Sequence, residues 1–135
     1  KYISIGNHTA DHQILTAYSK EEAFKSICEC QDMLQGMIGY RPVAIAYPNG
    51  MYSPAIVEAA SEAGLKLGFT TVPKKEYLPA SLNGAGAMML GRFMPRGGND
   101  VERQCRLFRS DVMLTQRMRV FKRKLAGAKN GVGYK

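Results

Sequence analysis

Two histidines separated by three residues are the side chains of this sequence best suited to chemistry. His8 and His12 are its only histidines, and both lie in the segment GNHTADH. Neutral imidazoles four positions apart can hold one divalent ion if the backbone turns tightly, and zinc suits such nitrogen ligands. A carboxylate or water would then be needed as a further ligand. The alternative is that both rings are ordinary surface or capping side chains beside Thr9 and Asp11.

A second candidate segment lies where the apolar run PVAIAY ends in Pro48, Asn49 and Gly50. Such a run predicts a buried strand that passes into a tight turn. In parallel α/β sheets, functional groups collect at the carboxyl ends of the strands. Because the histidines also follow a predicted strand, we expect the two segments to share one site.

The elements that would position these residues alternate between strands and helices. Ser19 and Glu22 have the spacing of a capping box, Gly39 is a helix stop, and Ser53 with Pro54 begins a second helix. Strands are predicted over residues 1–5, 42–47, 67–72 and 90–94, and helices over residues 20–38, 54–63, 100–109 and 111–125. This alternation indicates an α/β fold with a parallel sheet and right-handed crossovers, either doubly wound or barrel-like.

The segments GNHTADH and AIAYPNGMYSPAIVEAASEAGLKLGFTT together resemble the NodB-type polysaccharide deacetylases, which are metal-dependent carbohydrate esterases. That family has a His-Ser/Thr-x-x-His metal motif, then a helix, then a strand that enters a Tyr/Phe-Pro-x-Gly turn. The match covers roughly residues 3–95 in order and spacing. It implies a portion of a NodB-type (β/α) barrel lacking its first strands, about two thirds of the domain. The expected division is a partial deacetylase domain at residues 1–109 and a basic C-terminal helix and tail at residues 110–135.

The resemblance implies specific roles near the two predicted strand ends. His8 and His12 match the two histidine ligands of the family metal, usually zinc. Thr9 matches the residue whose hydroxyl helps to hold that loop. Asn49 matches the residue whose backbone N–H helps to hold the oxyanion, an arrangement worth roughly 3 to 4 kcal/mol in comparable acyl-transfer sites.

Three further residues receive weaker roles from the same resemblance. Tyr47 and Pro48 match positions that shape the strand end where substrate binds. Arg92 in LGRF is similar to an arginine on a later strand that orients an acidic catalytic residue in related deacetylases. The alternative for Arg92 is an ordinary surface arginine.

The sequence also departs from the family pattern. The family's Asp-Asp pair, which supplies the general base and the third metal ligand, precedes the histidine motif, but only seven residues precede His8. No histidine follows His12 to provide the family's late general acid, and Ala46 stands where an arginine is frequent. We therefore expect the general base and the third ligand to come from outside this sequence.

The leading hypothesis is that the parent protein is a metal-dependent hydrolase that removes acetyl groups from the nitrogen or oxygen of a polysaccharide or oligosaccharide. The alternative is a truncated, inactive domain with a binding or assembly role. In either case, open strand edges lead us to expect a homo-oligomer or pairing with a missing N-terminal segment.

Positive charge is concentrated in the last quarter of the chain. Residues 1–100 carry nine Lys/Arg and nine Asp/Glu, whereas residues 101–135 carry ten Lys/Arg and two Asp/Glu, which accounts for the net charge of +8. Such an end can bind nucleic acid or an anionic membrane surface. A solvated outer face or a disordered end is the more common outcome, and no specific nucleic-acid partner is expected.

The three cysteines do not indicate a disulfide framework. Cys28 and Cys30 lie two positions apart on a predicted helix, so their side chains point in different directions. Family members commonly act on envelope or extracellular glycans, so the resemblance favours an exported, periplasmic or cell-envelope parent. An odd number of cysteines fits a reducing compartment equally well.

Overall fold

The computed structural model describes residues 3–76 and 84–109 of the chain. The chain divides into two compact units, Lys1–Met94 and Pro95–Lys135. The first unit contains helices α1 (Lys20–Ile38) and α2 (Pro54–Glu62), strands β1 (Ala44–Ala46) and β2 (Leu67–Phe69), and short 3₁₀ helices at Leu15–Ala17, Pro48–Gly50 and Gly84–Met89. Helix α3 (Val101–Arg109) belongs to the second unit. Within the described ranges, no helix is long and apolar enough to cross a membrane.

The sheet of the first unit is parallel and follows the order of the chain. β1 pairs with β2, with Ile45 opposite Gly68. Single parallel bridges add Asn7 beside Ile45 and Leu90 beside Phe69. Successive segments of the chain are therefore neighbours, which is also the strand order of (β/α) barrels. The described residues form a parallel sheet that does not close into a barrel.

The predicted strand ahead of the histidines is wrong in its described residues. Of the described residues in this segment, only Asn7 bridges to β1, while residues Ile3 and Ile5 are 81% and 42% exposed. Pairing would continue through the carbonyl of Pro42, but this carbonyl already accepts a hydrogen bond from Gln31 Nε2 at 2.9 Å. Among the described residues, the backbone bonds of this ladder end at Asn7 and do not reach Ile5.

The remaining predicted strands are present but shorter. The run of residues 42–47 forms only β1, and residues 67–72 form only β2. The strand predicted at residues 90–94 is reduced to the single bridge at Leu90.

Both ends of helix α1 agree with the sequence. Ser19 Oγ accepts a hydrogen bond from Glu22 N at 3.2 Å, and the Glu22 carboxylate accepts one from Ser19 N at 2.9 Å, which completes the capping box. Gly39 ends the helix at φ 78°. Helix α2 likewise begins after Ser53, whose side chain accepts a hydrogen bond from Ile56 N.

The core lies between the two helices and one face of the sheet. Ile45 and Tyr47, on the same face of the strand, are fully buried, whereas Ala44 and Ala46 on the opposite face are partly exposed. The other buried members of the core cluster are Leu15, Ala23, Ile27, Ile56, Ala60, Ala63, Leu65 and Met88. One sheet face is therefore packed by helices, and the other remains partly open.

Two predictions about the end of the chain have different outcomes. The helix predicted at residues 100–109 is present as α3. The helix predicted at residues 111–125, and the basic tail at residues 110–135 with it, lie outside the described residues. The boundary between the compact units falls between Met94 and Pro95 along the chain, and the proposed domain boundary at residue 109 stays a prediction.

Candidate functional site

The two histidines lie together beside the carboxyl end of β1. Their rings meet edge to face, with centroids 4.7 Å apart and an interplanar angle of 71°. His8 Nδ1 is 2.5 Å from the carbonyl oxygen of Ala46, the last residue of β1. Because a carbonyl oxygen only accepts, Nδ1 must carry the hydrogen, and in the neutral imidazole this leaves a lone pair on Nε2. Both side chains are exposed, so an ion or a substrate can reach them.

The backbone between the histidines is held in an unusual conformation. Thr9 and His12 adopt φ values of 66° and 57°. A left-handed conformation is rare for a β-branched residue, and such strained residues cost of the order of 1–3 kcal/mol each. Thr9 Oγ1 accepts a hydrogen bond from His12 N at 3.0 Å, so its hydroxyl holds the loop as expected.

Asn7 is a residue of this site that the sequence analysis did not identify. It is 1% exposed, and its side chain accepts a hydrogen bond from Thr9 N at 2.8 Å. The available signal was an asparagine that follows the predicted strand at residues 1–5, where this residue type is ordinary. That signal was too weak to use without knowing what surrounds the side chain.

Asp11 lies between the histidines in sequence, but its carboxylate is bound elsewhere. It accepts hydrogen bonds from Tyr18 OH at 2.6 Å and from Ser26 Oγ at 2.9 Å. The bond from Tyr18 is the main cause that holds the pKa of Asp11 below its usual range, and bonds from Gln13 N and Ser26 add to it. Asp11 is therefore ionised, and its bonds to Tyr18 and to Ser26 of helix α1 anchor the loop.

The residues present fit part of a zinc site. Two imidazoles, one with its Nδ1–H fixed on a carbonyl, are the ligand type and outer-shell arrangement that zinc sites use. In residues 3–76 and 84–109 there is no group of three or more His, Cys, Asp or Glu side chains that could hold a metal ion. His8 and His12 can thus supply two ligands of a four-coordinate ion, and the others must come from elsewhere.

The turn at Pro48–Gly50 lies at the same strand end. Asn49 adopts φ 53°, and its carbonyl accepts a hydrogen bond from Thr71 Oγ1 at 3.3 Å. The first hydrogen bond of the turn starts at Gly50 N, which donates to Tyr47 O at 2.8 Å. The N–H of Asn49 is therefore not used by the turn. The Ala46 carbonyl bonded to His8 belongs to the strand that leads directly into this turn.

Tyr47 and Pro48 are both buried, so they shape the strand end and offer no surface to a substrate. The Tyr47 ring stacks on Tyr52 with centroids 5.8 Å apart. Its hydroxyl has no hydrogen-bond partner among the described residues. Burial is the main cause that raises the pKa of Tyr47 to about 12, so the hydroxyl stays protonated at neutral pH.

A matched pair of substitutions can test this packing role. We expect Tyr47→Phe to raise the free energy of unfolding by about 1 kcal/mol, because it removes a buried hydroxyl that has no partner in residues 3–76 and 84–109. We expect Tyr18→Phe to lower stability, because it removes the hydrogen bond to Asp11. Urea denaturation of both variants measures the change in the free energy of unfolding, which should be positive for Tyr47→Phe and negative for Tyr18→Phe. A large loss of stability in Tyr47→Phe would show that its hydroxyl has a partner.

Arg92 lies just after the bridge at Leu90. Its backbone N–H donates to Val72 O at 2.9 Å. Its side-chain Nε is buried and has no partner within the part of the chain that the structure describes. An unpaired buried guanidinium nitrogen is costly, so this nitrogen is available for a carboxylate or another acceptor.

Comparisons with known proteins agree on one family. The family model for polysaccharide deacetylase matches residues 2–68. The chain is 41% identical over 46 residues to the peptidoglycan-N-acetylmuramic acid deacetylase PdaC of Bacillus subtilis (strain 168), a match covering 34% of this chain and 10% of PdaC.

Two solved structures are also similar. The deacetylase PplD of Streptococcus pyogenes, in complex with acetate, gives a TM-score of 0.50 and 30% identity over 51% of this chain and 30% of that chain. A family 4 carbohydrate esterase from Streptomyces lividans, in complex with acetate, gives a TM-score of 0.45 and 19% identity over 50% of this chain and 36% of that chain. This chain thus spans only 10% to 36% of the length of these three relatives.

Proposed function

Because residues 2–68 of this chain belong to the polysaccharide deacetylase family, we propose that the parent protein hydrolyses acetyl groups from an acetylated glycan. In this proposal His8 and His12 hold a divalent metal ion, most simply zinc. The observation that carries the proposal is the paired rings, with His8 Nδ1 fixed on the Ala46 carbonyl. This arrangement leaves His8 Nε2 as a lone-pair donor at an exposed strand end.

When bound, zinc would supply Lewis-acid chemistry at the acetyl carbonyl. The chain's own contribution is to orient the two imidazoles and to place a backbone N–H beside them. We propose that the N–H of Asn49, which its turn leaves unused, donates to the oxygen of the acetyl group as negative charge develops there.

The general base and the third metal ligand are not supplied by the described residues. Asp11, the carboxylate closest in sequence, already accepts hydrogen bonds from Tyr18 and Ser26. We propose that a carboxylate from elsewhere in the parent protein completes the site. The buried Nε of Arg92, which has no partner within residues 3–76 and 84–109, supports this proposal, because a charged donor favours an acidic partner.

The glycan and the location of the parent protein are also part of the proposal. PdaC is named for deacetylation of peptidoglycan N-acetylmuramic acid. We therefore propose an N- or O-acetylated glycan of the cell envelope as substrate, and an exported or envelope-associated parent protein.

Acetate release by the parent protein tests this function. With chitin oligomers or acetylated xylan as substrate, we expect acetate release that is sensitive to chelator. The rate of release should fall by more than roughly 100-fold in His8→Ala and in His12→Ala. That loss exceeds the range known for removing only an outer-shell partner of a metal ligand. Gln13→Ala, an exposed change in the same loop, is the control and should retain activity.

Two results would contradict the proposal. Acetate release that persists in both histidine variants would exclude them as metal ligands. A parent protein that binds zinc but releases no acetate would favour the alternative of an inactive domain that binds glycan or assembles with other chains.

A further inference from the structure

A buried amide pair connects helix α1 to the histidine loop. Asn7 and Gln31 are each 1% exposed, although both are polar. Asn7 Nδ2 donates to Gln31 Oε1 at 3.3 Å and to the carbonyl of Ile27 at 3.0 Å. Gln31 Nε2 in turn donates to the carbonyl of Pro42 at 2.9 Å, just ahead of β1. These bonds tie helix α1 to Asn7, the residue before His8, and to the segment that leads into β1.

The backbone of Asn7 is fixed as firmly as its side chain. Its N–H donates to Ala44 O at 2.8 Å, and its carbonyl accepts from Ala46 N at 3.0 Å. Ala46 also presents the carbonyl that faces His8 Nδ1. The residue before His8 is thus bonded to the same strand that orients the His8 ring.

The side chain of Asn7 continues the connection to His12. Asn7 Oδ1 accepts from Thr9 N at 2.8 Å, and Thr9 Oγ1 accepts from His12 N at 3.0 Å. Thr9 and His12 are the two residues of the loop with left-handed φ values. A continuous series of hydrogen bonds therefore runs from Gln31 through Asn7 and Thr9 to the backbone of His12.

We propose that Asn7, clamped by Gln31, is a positioning residue that holds His8 and His12 in one metal-binding geometry. Burying an amide costs free energy unless its hydrogen bonds are made. Because Asn7 and Gln31 make theirs in this arrangement of the loop, the pair favours this arrangement over others. This inference rests on the proposed function, because it assigns a purpose to the aligned rings. It adds a residue on helix α1, far from the histidines in sequence, to the machinery of the site.

The test compares Gln31→Met with Gln35→Met in the full chain. Gln31→Met keeps the length of the side chain and removes both of its hydrogen bonds. Gln35→Met makes the same substitution one turn later, where the exposed side chain accepts a bond from exposed Arg41. Ile56→Val, a small cavity at a buried position of helix α2, controls for loss of stability alone.

Two readouts separate positioning from stability and from the proposed function. The first is the tautomer of His8 in metal-free protein, measured by ¹⁵N chemical shifts at about pH 8.5, two units above the ordinary pKa of imidazole. The second is the affinity for Zn²⁺ measured by titration calorimetry. The tautomer does not depend on any metal or activity.

We expect the metal-free protein and both controls to show His8 with hydrogen on Nδ1, and we expect Gln31→Met to show mixed tautomers. Zinc affinity should fall roughly 10- to 100-fold in Gln31→Met, the range seen when an outer-shell partner is lost, and stay within a factor of about two in the controls. Asn7→Leu should change the His8 tautomer and the zinc affinity in the same way. If Asn7→Leu does not fold, the results for Gln31→Met alone decide whether the pair positions the histidines.

An unchanged His8 tautomer in Gln31→Met would overturn the positioning role, as would equal changes in Ile56→Val. Absence of zinc binding in the unsubstituted chain would instead count against the proposed metal site. In that case the His8 tautomer still decides the role of Asn7 and Gln31.

Discussion

Acetate release by the 135-residue chain alone is expected to be at least about 100-fold slower than release by an intact deacetylase of the family on the same acetylated glycan. General base catalysis usually contributes roughly 10²- to 10⁴-fold. The carboxylate closest to the histidines in sequence, Asp11, is held by Tyr18 and Ser26. A site with two imidazoles also lacks the third ligand that catalytic zinc sites use. The chain alone should therefore bind the metal ion and the acetylated glycan without hydrolysing the acetyl groups at an appreciable rate.

The measurement is acetate release from chitin oligomers or acetylated xylan at matched protein and zinc concentrations. An intact family member is the positive control, and the chain carrying His8→Ala gives the background. Release by the chain within about 10-fold of the intact enzyme, sensitive to chelator and to His8→Ala, would contradict the expectation. That outcome would mean that residues of this chain outside the described ranges supply the base.

Gly50→Ala is expected to cause the largest loss of stability of any single methyl addition at the candidate site. Gly50 has φ 70°, and a Cβ there would lie 2.3 Å from Thr71 Oγ1 and 2.5 Å from Thr71 N. The left-handed conformation alone costs about 1–2 kcal/mol for an L-residue. Overpacking typically adds 1–3 kcal/mol. The free energy of unfolding should therefore fall by about 2–5 kcal/mol.

Gly39→Ala is the matched control for this substitution. Gly39 has a similar φ of 78°, but a Cβ there meets no atom within 4 Å. Its substitution isolates the conformational cost of about 1–2 kcal/mol. Urea denaturation of both variants then gives the cost of the contact with Thr71 as the difference. Equal losses in the two variants would show that the turn can move away from Thr71.

Local signals allowed much of the first unit to be predicted. Ser19 with Glu22, and Gly39 at the other end, determine α1 through hydrogen bonds that each span only a few residues. Ser53 and Pro54 do the same for the start of α2. These signals depend on backbone groups that are unpaired at every helix end. They can be recognised without knowing the tertiary structure.

Other features depend on contacts between distant residues and could not be read from the sequence. The strand expected before the histidines is limited to the bridge at Asn7, and the Pro42 carbonyl that would continue it accepts a hydrogen bond from Gln31. The partnership of Asn7 and Gln31 joins residues 24 positions apart. The run that contains Tyr47 is apolar on both faces, so its pattern did not reveal which side chains face the helices.

The candidate site was predictable to a similar degree. The histidines and the turn at Asn49 come from short segments with recognisable spacing, and the bond from His8 to Ala46 connects the two segments. Asn7 is adjacent to the motif, but its importance comes from burial against α1. The sequence thus indicated which residues could do chemistry, whereas the structure indicates what holds them in place.

X-ray absorption at the zinc edge, on the zinc-loaded full chain, tests the central claim most directly. We predict two imidazole nitrogens at about 2.0–2.1 Å from the ion. One of them should be lost in His8→Ala and one in His12→Ala. A spectrum that neither substitution changes, or a sulfur ligand at about 2.3 Å from one of the three free cysteines, would contradict a metal site formed by His8 and His12.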